Sequence, residues 1–365
     1  MIMFEVLKKF NLFDKTENVV KFGRGALNCS YLVYAKDNCY LLQMFEENVF
    51  KKPDKVIANI KTIKKYLLDN GDTVFFLNNN LLDNENNNVV HINGTYWRGF
   101  KMPKNANMYK KVINSQMIYE IGKAIGNFHK TFKDFPVQQL NSSIPDYHNT
   151  TNELEFLTKT IYESKSEKSF LFFNDAKFVL DRKEDFQLIN LLLENKEVPL
   201  RAIHNNLRLN NFVFDDDTYN VIAIIGYDAV MPGSLLYDIG EALRQLTATT
   251  QEDESNLSLV RININFYKEF LKGYFEETIG FITKKEVDCI VDATRIMTLE
   301  NGLRYLNDYL AGNKIYKVGY KEQNIDKARN QFRLVEDIET YYEGMRQVVA
   351  FLYNQVKNRK CTNPE

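Results

Sequence analysis

The hydrophobic pattern of this chain changes period once, near residue 105, and that change limits the fold more than any other property. Before it, NVVKF (18–22), SYLVYA (30–35), CYLLQMF (39–45), TVFFL (73–77) and GTYWRGFKM (94–102) run or alternate apolar in strand-length pieces. One helical pattern interrupts them: Pro53 opens it, Val56, Ile60, Ile63 and Leu67 share a face, and Gly71 supplies a stop. Between the last two strands, the polar run at 78–88 is expected to be a solvated loop. After residue 110 the period becomes 3.6, with apolar faces at 115–132, 151–165, 181–195, 263–275, 285–311 and 325–357. A small sheet lobe followed by a mainly helical lobe is an α+β, bilobal architecture, with the division expected at Met102–Asn105. The two parts are residues 1–104 and 105–365.

Composition removes several classes of function. With 47 Lys+Arg against 48 Asp+Glu in 365 residues, the chain has no bulk charge to draw it to nucleic acid or to an anionic membrane. The four cysteines (29, 39, 289, 361) show no CxxC spacing, so neither a zinc site nor a disulfide framework is expected. Charged residues break the apolar start MIMFEVLKKFNLF, which therefore reads as neither signal peptide nor membrane span, and a cytoplasmic protein is expected.

One β segment, 200–228, is embedded among the helices, and residues 201–244 carry the chemistry. A short strand leads to His204 and a polar loop ending in Asn210 and Asn211. An apolar hairpin with a DDD turn follows, then Asp228, a Pro-Gly turn and a helix. Both polar loops leave the same end of the hairpin, so they converge if the strands pair. A second polar set, Asn301, Arg304 and Asp308 at i, i+3 and i+7, shares one helix face, as either a sugar-hydroxyl-binding stripe or a solvated surface. Asp238, Glu241 and Arg244 form another stripe, expected to brace the hairpin. His148 and His204 are expected to be hydrogen-bonding struts rather than bases, and the single tryptophan, Trp97, to be packing.

HNNLRLNN (204–211), IIGYD (224–228) and MPGSLLYDIGEALR (231–244) resemble the H-x-D-x-x-x-x-N loop and I-D-x-D strand end of the aminoglycoside phosphotransferase and choline kinase superfamily. The likeness is greatest to N-acetylhexosamine 1-kinase-like sugar kinases, and FGRGALNCSYLV, YLLQMFEENVFKKPDKVIANI, YWRGF, IPDYHNT and LENGLRYLNDYLAGNKIYK follow the same branch in order. The resemblance implies a protein-kinase-like fold, ATP and magnesium as cofactors, and a small sugar as the other ligand. It places Gly23 and Gly25 over the phosphates, with Asn28, Ser30 and Tyr31 beside them and Gln43 where a phosphate-binding lysine stands. The substrate would meet Asn301, Arg304 and Asp308.

Two positions depart from that pattern. Asn206 stands where the family has the carboxylate that accepts the substrate's proton, and an amide has the shape without the charge or the basicity. Gly226 stands where the family has a metal-binding Asp, leaving Asn211 and Asp228 as ligands. In an extended strand, residues 226 and 228 would share a face ~6.5 to 7 Å apart, so Asp228 could replace the lost ligand only with a backbone shift. Three readings follow: an impaired or inactive kinase that retains sugar or nucleotide binding, an active sugar or small-alcohol kinase using Asp228, and an interaction scaffold without a ligand.

Overall fold

In a computed structural model, residues 2–24, 28–36, 38–46, 53–70, 81–87, 89–163 and 170–362 are described. The first lobe is built on five antiparallel strands in the order β1-β2-β3-β5-β4: β1 (Asn18–Arg24), β2 (Asn28–Ala35), β3 (Asn38–Glu46), β4 (Val90–Ile92) and β5 (Thr95–Lys101). Five strands are as expected, but the fourth is 90–92; TVFFL lies outside the described residues. Helix α1 (Ile2–Lys9), which periodicity did not single out, buries Val6 and Leu7 against one face with Val33, Leu42 and Trp97. Because strand side chains alternate, Leu32, Leu41 and Phe100 point to the other face, where Val213, Ala223 and Ile225 of the second lobe meet them. Trp97 is core, its Nε1 donating to Thr95 Oγ1 at 2.8 Å.

Helix α2 (Pro53–Asp69) reaches across to the second lobe. Asn59, buried on it, donates to the carbonyls of Asn141 (2.8 Å) and Val230 (2.9 Å) and accepts from Asn141 N (2.8 Å). After β5, β6 (Ala106–Asn107) pairs with β8 (Phe212–Asp215), and β8 with β9 (Val221–Ile224), so the chain enters the second lobe as a third strand on the central hairpin. A separate pair, β7 (Arg201–Ile203) with β10 (Met231–Gly233), closes the segment at its base.

The helices of this lobe follow the expected apolar faces, with breaks. They are α3 (Ser115–Thr131), α4 (Thr151–Thr158), α5 (Phe173–Leu180), α6 (Leu188–Glu194), α7 (Leu235–Leu246), α8 (Ile264–Thr278), α9 (Lys284–Asp288), α10 (Ile290–Leu310), α11 (Gln323–Thr340) and α12 (Tyr342–Thr362). The expected 285–311 helix is two pieces: Thr283 and Glu286 make a capping box that starts α9, and Cys289 leaves the helical path before α10. The expected 325–357 helix divides at Tyr341, where backbone φ is −99° and ψ 10°. Helices α3 and α8 cross with backbone almost in contact: a β-carbon on Gly122 would fall 2.2 Å from Phe270 O, and one on Gly273 2.2 Å from Tyr119 O. Among the described residues, no helix is long and apolar enough to cross a membrane.

Candidate active site

The loop after β7 is shaped by a residue three strands and a turn downstream. Asp238, buried on α7, accepts hydrogen bonds from His204 N and Asn205 N at 2.7 Å each, and from the His129 ring at 3.1 Å. Asp238 is thus the brace that the sequence suggested. The His204 ring is fully buried, 5.6 Å from the Phe128 ring and 5.1 Å from that of Tyr227. Burial pushes its imidazole down to about 4, with the Asp238 carboxylate only partly offsetting, so it is neutral at pH 7; it packs among rings rather than serving as the hydrogen-bonding strut expected, since neither ring nitrogen has a hydrogen-bond partner among the described residues. Asn205 takes a left-handed φ of +60° and donates to Ala229 O at 2.9 Å, tying the first loop to the second.

Asn206, half-buried, faces a pocket, and its carbonyl accepts from Asn211 Nδ2 at 2.7 Å. Asn211 Oδ1 is buried without a hydrogen-bond partner among the described residues. Its amide lies directly over Gly226: a β-carbon there would fall 2.9 Å from Cγ, Nδ2 and Oδ1 alike. Gly226 has φ +88°, a left-handed conformation, and residues 227–229 form a 3₁₀ turn rather than a strand. The extended geometry expected for 226–228 is therefore incorrect, because β9 ends at Ile224 and the chain turns at Gly226.

Asp228 points into the interface between the lobes, where Arg98 of β5 holds both its oxygens: Nη1 to Oδ1 and Nη2 to Oδ2, each 2.8 Å. Arg98 Nε and Nη2 also donate to Gln43 Oε1, at 3.1 and 2.9 Å, and Gln43 Nε2 donates to Ser30 Oγ at 3.4 Å. Gln43, Ser30 and Asp228 are thus assembled into one buried chain, linked by an arginine that the resemblance did not single out. The signal was present: in β5, Arg98 lies in phase with Phe100 and opposite to Trp97, a charge on the face turned to the second lobe.

These donors do not fit a magnesium ion. Position 226 has no side-chain oxygen to give, the Asp228 carboxylate is ion-paired with a guanidinium that also donates a hydrogen bond to its Oδ2, and the remaining amide oxygen of Asn211 is a weak ligand for a hard cation. Among the described residues, no group of three His, Cys, Asp or Glu side chains is arranged to hold a metal. On the nucleotide side, Gly25 lies outside the described residues, and Gly23 and Asn28 lie at the ends of β1 and β2. Tyr31 is a correction: strand alternation turns it to the α1 face, with its ring 5.7 Å from that of Trp97.

The pocket beside Asn206 is lined by Tyr147, His148, Tyr237, Glu241, Asn301 and Arg304, among others, and encloses about 30 Å³. Its walls bond to one another. His148 bridges Glu300 Oε1 and Asn205 Oδ1 at 3.0 Å each and stacks on Tyr237 at 3.8 Å. Arg304 pairs with Glu300 at 2.6 Å and donates to Tyr147 O, and Asn301 donates to Glu241 Oε2 at 3.0 Å. Burial raises the Glu300 carboxyl, but Arg304 and His148 more than offset this and hold it below the usual range. Asp308 is not in the pocket: it accepts from the backbone N–H of Lys314, Ile315 and Tyr316 and from Asn324, folding the turn after α10. Behind the pocket, Glu252 accepts from Arg208 (2.5 Å), Arg244 (2.6 Å) and Tyr305 (3.1 Å), and Arg244 also pairs with Glu241 at 2.6 Å. Glu252 comes from a loop with no periodic signal, so only the tertiary fold reveals it.

No protein-family model matches the chain. Solved structures do. The microcompartment-associated aminopropanol kinase is 15% identical, with 94% of this chain and 98% of that one covered at a TM-score of 0.61. Spectinomycin phosphotransferase in its AMP complex is 14% identical, with 92% and 96% covered at 0.58. Choline kinase of Cryptosporidium parvum is 15% identical, with 96% and 99% covered at 0.56. A likeness of that extent at so low an identity speaks to architecture, and this chain has the bilobal, protein-kinase-like α+β fold of the aminoglycoside phosphotransferases and choline kinases.

Proposed function

We propose that this is a phosphotransferase-fold protein that has lost phosphoryl transfer and keeps, as its function, binding of a small polar molecule of the sugar class beside Asn206. The observation that carries the reading is the Arg98–Asp228 pair. The carboxylate on which an active enzyme would depend for its metal is neutralised by a guanidinium of its own chain. Arg208, the cation within the loop itself, is likewise committed to Glu252. With an amide at 206, neither proton acceptance nor charge neutralisation of a transferring phosphoryl group is supplied, and each is a separate requirement. The polar walls, with Arg304 and the Asn206 amide as donors and Glu241 as acceptor, suit the hydroxyls of a sugar. At about 30 Å³ the pocket must open by side-chain movement to admit one, since ligand pockets run to ~300 Å³ and more.

The competing reading, an active sugar or small-alcohol kinase using Asp228, requires Arg98 to release that carboxylate. A product assay with ATP, magnesium and a panel of amino sugars and amino alcohols separates the two. Wild type and Asn206→Asp are both expected to give no turnover above the uncatalysed rate. Turnover by wild type that Asp228→Ala abolishes would establish the active kinase instead.

A further inference from the structure

A second cavity, of about 220 Å³, lies on the far side of Arg208 and is lined by Lys110, Arg208, Arg244, Gln245, Gln251, Glu252, Asp253, Lys327, Asn330 and Gln331, with Ala248 and Thr250. Its polar groups are unequally satisfied. Arg208 and Arg244 are paired with Glu252, and Asp253 accepts from Gln323 at 2.8 Å. Asn330 donates to the carbonyls of Gln251 and Glu254, and Gln331 donates to Asn330. The two lysines differ. Lys110 and Lys327 make no hydrogen bond or ion pair among the described residues; each lies over a ring, Lys110 5.8 Å from that of Phe22 and Lys327 5.3 Å from that of Tyr305. Gln245 accepts from Leu209 N at 2.8 Å through its Oε1, and its amide NH₂ makes no hydrogen bond among the described residues.

Four cations and two carboxylates line this space, and both carboxylates are already engaged. Lys327 is half-buried, and burial holds its ammonium below the ordinary lysine range, against which Glu252 is only a partial offset. A desolvated ammonium without an acceptor is costly, and an anion is the partner that removes the cost. We propose that this cavity is a binding site for a small phosphate-bearing anion, held by Lys327 and Lys110 with the Gln245 amide. The volume suits phosphate or a short phosphate ester, and is below that of a nucleotide pocket. The site is independent of whether the pocket beside Asn206 holds a sugar, since none of the three groups lines that pocket.

The test is calorimetric titration of the full chain with inorganic phosphate in low-salt chloride buffer, for wild type, Lys327→Met, Lys327→Gln, Lys110→Met and Lys130→Met. Saturable binding by wild type is expected, weakened about tenfold or more by either Lys327 variant, as for loss of one charge-assisted bond, and to a lesser degree by Lys110→Met. Lys130→Met, which removes an exposed lysine paired with Glu277 that lines neither cavity, should bind as wild type does. Two outcomes overturn the proposal: no saturable binding by wild type up to ~10 mM, or saturable binding that the variants at Lys327 and Lys110 leave intact. If Lys327→Met fails to fold, Lys327→Gln and Lys110→Met carry the same comparison.

Discussion

Replacing Gly226 should destabilise the protein, and by an amount that depends on Asn211. The backbone at 226 has φ +88°, where an L side chain costs ~1 to 2 kcal/mol. The new β-carbon would also fall 2.9 Å from three atoms of the Asn211 side chain, too close to be tolerated. Moving Asn211 aside breaks its 2.7 Å bond to Asn206 O, a further ~1 kcal/mol. Gly226→Ala should therefore lose ~2 to 3 kcal/mol of unfolding free energy, read from urea denaturation. In an Asn211→Ala background the clash is gone, so the same change should cost only the conformational part, a coupling of ~1 kcal/mol in the double-mutant cycle. A penalty below ~0.5 kcal/mol for Gly226→Ala would refute the conformational assignment. Strict additivity of the two changes would refute the steric one. The consequence for function is direct. Gly226→Asp, which looks on paper like recovery of a metal ligand, must displace Asn211 first, and so Asn206→Asp with Gly226→Asp should leave the protein inactive and less stable.

Two further outcomes follow from buried charge. Arg98→Met leaves Asp228 enclosed without its counter-ion and should cost ~3 to 5 kcal/mol, most of it recovered when Asp228→Asn is added, as judged by urea denaturation of the three variants. The folded-state pKa of His204, about 4, lies below its ordinary 6.5. The unfolded chain then binds the extra proton first: the stability from keeping His204 neutral is complete above pH ~6.5 and is lost as pH falls toward ~4, by up to ~3 kcal/mol. A pH series of unfolding free energies should be flatter in that window for His204→Gln than for wild type, and identical slopes would remove His204 as the cause.

The strands and helices were legible where one face of an element is buried, because alternation or 3.6-residue spacing then leaves a trace. Helix α1 escaped because eight residues give the period too little length to register. The break at Tyr341 escaped because the nearest glycine, Gly344, lies three residues beyond it and inside the following helix. At the site, the His204–Asn211 loop and its approach to 226–230 could be read from the hairpin, and Asp238 from its phase on α7. The direction of Tyr31 followed from strand register, which a one-residue ambiguity in strand phase conceals. Asp308 shares a helix with Asn301 and Arg304, yet seven residues on it has passed the pocket and meets the turn beyond α10. Arg98, Arg208 and Glu252 belong to three separate segments, and no local pattern pairs such residues.

The brace supplied by Asp238 has a consequence for how such a protein can change over time. The two backbone N–H groups that define the 204–206 turn are held by a carboxylate that belongs to neither the proton-accepting nor the metal-binding position. The shape of the loop is thereby insulated from the identity of the residues displayed on it. Substitutions at 206 alter what the turn presents to a ligand without unpicking what holds the turn, so its architecture does not depend on the chemistry of the residue displayed there.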